Sequence, residues 1–85
     1  MRIKLHRDYV KGFNRLKASE KEKFRQRRGP FLLDEFNLVL NNHPVRGKYQ
    51  GFRSFNLTGD LRVIYKRNGM NGIFVVIDIH SNLYG

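Results

Sequence analysis

The sequence predicts an α+β domain in which an N-terminal helical hairpin packs on one face of a small, mainly antiparallel β-sheet. Three observations carry this expectation. Apolar residues recur at helical spacing through the first third of the chain, they alternate as in strands from Gly51 onward, and the basic, glycine-bearing connector HPVRGKYQGF separates the two regimes. At 85 residues the chain has room for a single domain, 1–85, and for one site within it.

Taken in order, Arg2 to Leu5 alternates basic and apolar residues and predicts a short first strand. Tyr9, Phe13 and Leu16 fall at i, i+4 and i+7, with Val10 beside them, and give a helix of about residues 7 to 17 one apolar stripe. Ala18-Ser19 interrupts that stripe. Ser19 followed three residues later by Glu22 has the form of a capping box, so a second helix is expected to start at Glu20 and close a helical hairpin. Gly29-Pro30 is a breaker signal, because proline lacks an N–H and disfavours helix at the residue before it. Yet Phe24, Phe31 and Leu32 carry an apolar face across it, so a kinked helix and a short second segment both fit, with the boundary near Asp34. The stretch FNLVLNN, 36–42, reads as a last turn or as a loop that tucks Phe36, Leu38 and Leu40 under the domain.

Three runs rich in β-branched and aromatic residues follow: Phe52 to Leu57, Leu61 to Lys66, and Ile73 to Ile79. Thr58-Gly59-Asp60 and Asn68-Gly69-Met70-Asn71-Gly72 are good hairpin connectors between them. Alternation places Ile73, Val75, Ile77 and Ile79 against the helices and Phe74, Val76, Asp78 and His80 on the opposite face. In the middle run Leu61, Val63 and Tyr65 face one way and Arg62, Ile64 and Lys66 the other. Arg53 and Asn56 sit near the same surface, on faces that need a register to fix.

Charge is the loudest compositional fact. Seventeen Lys and Arg stand against seven Asp and Glu, a net charge of +10, with eleven of the cations between Arg2 and Arg28. Such a surface attracts polyanions at long range, nucleic acid above all, and an acidic protein partner equally. Cysteine is absent, which excludes disulfides and thiolate metal sites. No apolar run approaches bilayer-spanning length and MRIKLHRDYV lacks a signal-peptide core, so the expected compartment is the cytoplasm, with no membrane partner.

A basic sheet face with His80 at its rim and His43 delivered by the preceding loop suits RNA cleavage. The 2′-hydroxyl needs a base, the departing 5′-oxygen needs an acid, and the crowded phosphorane needs cations; imidazole serves as acid or base near neutrality, and Arg or Lys supplies the electrostatic part. No cofactor is required. Asp78 and His80, two residues apart, are too few ligands for a metal site.

The run NHPVRGKYQGFRSFNLTGDLRVIYKR and the tail IDIHSNLYG resemble the RelE/ParE superfamily of bacterial toxins, and in particular the YafQ-like (RelE/StbE) branch of type II toxin–antitoxin systems. The likeness spans nearly the whole chain, with HP-x-x-G-x-x-x-G-[FY]-R, G-D-x-R-x-I-Y and H-S-x-L-[YF] in order. It implies a ribosome-dependent endoribonuclease that cuts mRNA in the A site, contacts ribosomal RNA and is neutralised by a cognate antitoxin. Carried over by position, it implies His80, His43 and Asp60 as the catalytic set, with Arg53, Arg62, Lys48 and Lys66 as RNA and phosphate contacts and Tyr84 as a stacking platform for a base. Two departures stand out. Asn56 occupies the place of a further catalytic histidine, and Leu61 that of an aromatic.

Plainer readings exist for each residue. His43 before Pro44 would otherwise bond backbone in an extended loop, Asp60 is an ordinary turn aspartate, Tyr84 is terminal packing and His6 is structural. The function classes that compete with the mRNA-cleaving toxin are a ParE-like toxin that inhibits a protein such as DNA gyrase and a catalytically degenerate RNA-binding homologue. Paired histidines argue against the first, and the second requires that histidine substitutions leave its activity intact.

Overall fold

The computed structural model describes residues 1–84; the side chains of Ser81 and Tyr84 lie outside the described residues. The order of elements is β1 (Arg2–Leu5), α1 (Arg7–Asn14), α2 (Ala18–Leu33), β2 (His43–Pro44), β3 (Arg53–Asn56), β4 (Leu61–Asn68), β5 (Asn71–Ile79) and α3 (His80–Tyr84), with single 3₁₀ turns at Leu38–Leu40 and Gly47–Tyr49. One five-stranded sheet runs β1-β5-β4-β3-β2. Its pairs are antiparallel except β1 with β5, which is parallel, Arg2 lying opposite Asn71 and Leu5 opposite Phe74. The α+β expectation holds.

The helix starts follow from local hydrogen bonding. His6 caps α1, its Nδ1 accepting from the Asp8 N–H at 3.1 Å. The second helix begins at Ala18, earlier than the Ser19 and Glu22 pairing predicts: Lys17 is the capping position, and Glu20 reaches back to accept from the Lys17 N–H at 2.9 Å. Carboxylate and register therefore shift together, by two residues. The helix runs through Gly29-Pro30 to Leu33, which decides between the two readings of that breaker. Asp34 then ends it, its N–H donating to the Pro30 carbonyl.

Both helices cover one face of the sheet. Tyr9, Phe31, Phe55, Tyr65 and Phe74 are buried there with Leu40, Leu57, Leu61, Val63 and Ile77. The Phe74 ring touches those of Tyr9 at 5.5 Å, Phe31 at 5.4 Å and Phe55 at 5.6 Å, in edge-on arrangements that suit ring quadrupoles. Simple alternation assigns Phe74 to the other face, and the reason it fails is a β-bulge. Tyr65 pairs with Phe74 while Ile64 pairs with Val76, so Val75 is an extra residue that resets the alternation and lets both Phe74 and Ile77 face the helices. Helix α1 lies so close to β5 that a Cβ on Gly12 would stand 2.7 Å from the Ile77 carbonyl oxygen.

The segment after α2 also departs from expectation. Leu40 is tucked under the domain, but Phe36 and Leu38 point outward. Two local turns enforce this: Asp34 Oδ1 accepts from the Phe36 N–H and Asn37 Oδ1 from the Val39 N–H, both at 3.0 Å.

Candidate functional site

His43 owes its orientation to the residue two before it. Asn41 adopts the left-handed conformation, with φ of 47°, which asparagine tolerates better than most residues. Its carbonyl oxygen lies 2.8 Å from His43 Nδ1. A carbonyl only accepts, so Nδ1 carries the proton and Nε2 is the nitrogen available for chemistry. The short strand β2 then pairs His43 with Ser54, on the face of the sheet away from the helices. The connector beyond folds back on itself, with the Val45 N–H donating to the Phe52 carbonyl at 3.0 Å and Gly47 and Gly51 at φ of 71° and 92°.

His80 starts α3 at the end of β5, and its N–H donates to the Asp60 carbonyl at 2.9 Å. His43 and His80 line one cavity of about 230 Å³ together with Pro44, Val45 and Arg46. The third predicted catalytic residue, Asp60, meets His80 through its backbone, and its side chain is exposed at the hairpin turn outside that cavity.

Register places Arg62 between the two histidines. Ser54, Ile64 and Val76 form one row across the open face, which His43 extends; Asn56, Arg62 and Asp78 form the next; His80 lies beyond Asp78. Arg62 Nη1 donates to Asn56 Oδ1 at 2.6 Å, while its Nε is buried without a partner. Asp78, opposite it across the strands, forms no ion pair with it: Oδ1 of that carboxylate takes the Ile79 N–H and the Asn82 amide at the start of α3, and Arg62 has no ion pair among the described residues. The guanidinium thus keeps its charge for an anion.

Arg53, predicted as a phosphate contact, is placed elsewhere. It pairs with Tyr65 on the helix side, its Nε donates to Asn42 Oδ1 at 2.6 Å, and its guanidinium lies 5.1 Å from the Phe36 ring centre. There it belongs to a buried network that sequence reading missed. Asn42 also donates to the Tyr65 hydroxyl, Tyr65 donates to Glu35, and Arg67 pairs with the same carboxylate. Glu35 is only 5 % exposed, and this satisfaction from two sides is what a buried carboxylate requires. Lys48 and Lys66 are exposed, each ammonium 5.5 Å from a ring centre, of Tyr49 and Phe52 respectively. The side chain of Tyr84, predicted to stack on a base, lies outside the described residues. Arg46 went unassigned in the sequence; its signal was its place three residues after His43 in a basic connector. Among the described residues no three His, Asp or Glu side chains gather to hold a metal ion, and no helix is long and apolar enough to cross a membrane.

No family model and no curated protein matches the sequence. Solved structures do. A YafQ mutant from E. coli superposes with a TM-score of 0.73 over 100% of both chains, at 24% identity. A YoeB/ParE toxin from Agrobacterium tumefaciens gives 0.76 over 94% of this chain and 99% of its own, at 18% identity. The chain has the RelE-like fold. A chain of the RelB–RelE antitoxin–toxin complex from Methanococcus jannaschii agrees, at 0.74 and 16% identity over 95% of this chain and 94% of that one. Within the RelE-like fold the two histidines and Arg62 occupy the open side of the sheet and the aromatic core the other.

Proposed function

We propose that this protein is the toxin of a type II toxin–antitoxin system and acts in the cytoplasm as a ribosome-dependent endoribonuclease on mRNA. The observation that carries the reading is the shared cavity of His43 and His80, with Arg62 in the row between them and without an ion pair among the described residues. One imidazole takes the proton of the 2′-hydroxyl, whose oxygen attacks phosphorus; the bond from phosphorus to the 5′-oxygen breaks, and the second imidazole protonates that oxygen. The products are a 2′,3′-cyclic phosphate and a free 5′-hydroxyl. His43, with Nε2 as its open nitrogen, suits either half. Arg62 and Arg46 stabilise the phosphorane, Asp60 positions His80 through its backbone, and Lys48, Lys66 and Tyr84 extend contact to the message and to ribosomal RNA. A cognate antitoxin, acidic to match the net charge of +10, holds the protein inactive.

The test is cleavage of a defined message on programmed ribosomes, with ends mapped by primer extension and with His80→Ala and ribosome-free controls. Cuts that need both ribosome and His80 support the reading. An intact message with folded protein sinks it and favours inhibition of a protein target.

A further inference from the structure

Leu33, Phe36, Leu38 and Val39 are four of the seven large apolar side chains left exposed among the described residues, and Leu33 and Leu38 are 91 % and 95 % exposed. They are not carried on a loose loop. The two side-chain turns of Asp34 and Asn37 pin the backbone, and buried Leu40 anchors it, so the apolar side chains are held outward. A concentration of this kind marks an interaction surface.

Beside this ledge, Val39 lines a groove of about 420 Å³ with Lys23 and Arg27 of α2, Leu57, and Gly59 of the β3–β4 turn. No acid lines it, and neither cation has an ion-pair partner among the described residues. Arg27 Nε is buried with no acceptor, a donor whose desolvation nothing in the fold offsets. Apolar ledge and cationic groove together specify an occupant with carboxylates and apolar side chains on one face. RNA would use the cations but has no use for outward leucines.

We propose that the ledge of Leu38 and Val39 and the groove of Lys23 and Arg27 form the docking surface for an acidic, amphipathic segment of the antitoxin. The inference rests on the toxin reading and deepens it. Carboxylates of that segment meet Lys23 and Arg27 and supply the acceptor Arg27 Nε lacks, and its apolar side chains cover Leu38 and Val39. The groove shares no lining residue with the His43 and His80 cavity, so docking there leaves that cavity accessible to a separate part of the same partner.

The experiment is titration of the purified toxin with the purified product of the adjoining antitoxin reading frame, using wild type, Leu38→Ser, the pair Lys23→Glu and Arg27→Glu, and His80→Ala. Binding of a labelled single-stranded RNA and thermal melting are followed on the same proteins. Leu38→Ser is expected to weaken antitoxin binding at least about tenfold with RNA affinity unchanged, and the double charge reversal by more. His80→Ala, which lies outside ledge and groove, should weaken antitoxin binding less than either of these changes. Equal antitoxin affinity in wild type and both ledge and groove variants overturns the docking surface and leaves the toxin reading standing. Loss of RNA affinity alone in the charge-reversed variant also overturns it and makes the groove a nucleic-acid contact. No antitoxin binding by wild type overturns the toxin reading, and the docking surface with it.

Discussion

The same three strands carry two different chemistries on their two faces. Toward the helices, Phe55, Tyr65 and Phe74 build an aromatic cluster beside which Glu35, Asn42, Arg53 and Arg67 are bonded into one network through Tyr65, while the Tyr9 hydroxyl is buried without a partner. Away from the helices, Asn56, Arg62 and Asp78 stand in a row between His43 and His80, and Arg62 keeps a buried donor without an acceptor and has no ion pair among the described residues. A satisfied network stabilises a fold; an unanswered one is available to a ligand. The difference separates the two arginines of the quoted motifs: Arg53 is held within the covered network, and Arg62 is the one proposed for chemistry.

If that division is right, substitutions on the open face change cleavage and leave stability alone, and those on the covered face do the reverse. The largest effect is expected at His80→Ala, with cleavage falling about 10²- to 10⁴-fold and an unchanged melting curve. A lowered melting temperature there would mean that the site is also a structural prop. Phe74→Ala should cost about 3–5 kcal/mol in urea unfolding, because five aromatic neighbours lose their central partner. Gly12→Ala forces α1 away from the Ile77 carbonyl and should cost about 1–3 kcal/mol, read the same way. Asn56→Ala releases Arg62 from one side and should lower cleavage about tenfold, with Asn56→Gln recovering part of it. An Asn56→Ala protein that cleaves normally would show that Arg62 needs no such hold.

The smallest effect is a pH dependence confined to the covered face. Burial raises the hydroxyls of Tyr9 and Tyr65 above the ordinary value of 10, with the hydrogen bond to Glu35 adding to it at Tyr65. The folded state therefore holds these protons more tightly than the unfolded chain. Their contribution to stability is complete below pH 10 and is lost as the pH rises through the folded-state range. Urea midpoints followed into alkali should fall, and Tyr65→Phe should fall less steeply.

Much of the fold was legible because its signals are local. The spacing of Tyr9, Phe13 and Leu16, the turn chemistry of Thr58 to Asp60 and the alternation of Leu61, Val63 and Tyr65 each mark an element without reference to the rest of the chain. What escaped depends on partners far away in sequence. The bulge at Val75 exists only in the pairing of β4 with β5, so no periodicity in β5 alone reveals that Phe74 faces inward. Helix α2 continues through Pro30 because Phe31 is held in the core, a tertiary gain that outweighs the local break. Arg53 illustrates the same limit at the level of the site: its face is fixed by register with Tyr65, and its partner Asn42 is one residue from the histidine that drew attention.

The parallel pairing of β1 with β5 has a consequence for the order in which the sheet assembles. Arg2 to Leu5 have their one strand partner among the described residues in Asn71 to Phe74, far along the chain. Closing the sheet edge brings together segments separated by helices α1 and α2 and by strands β2 to β4, and closing a loop of that length makes the contact late and slow to form. Until then the first strand waits unpaired, while the β4–β5 hairpin that receives it forms from contacts local in sequence. The edge of this sheet is thus sealed by the pairing that spans the most sequence, after the strands that pair with near neighbours are in place.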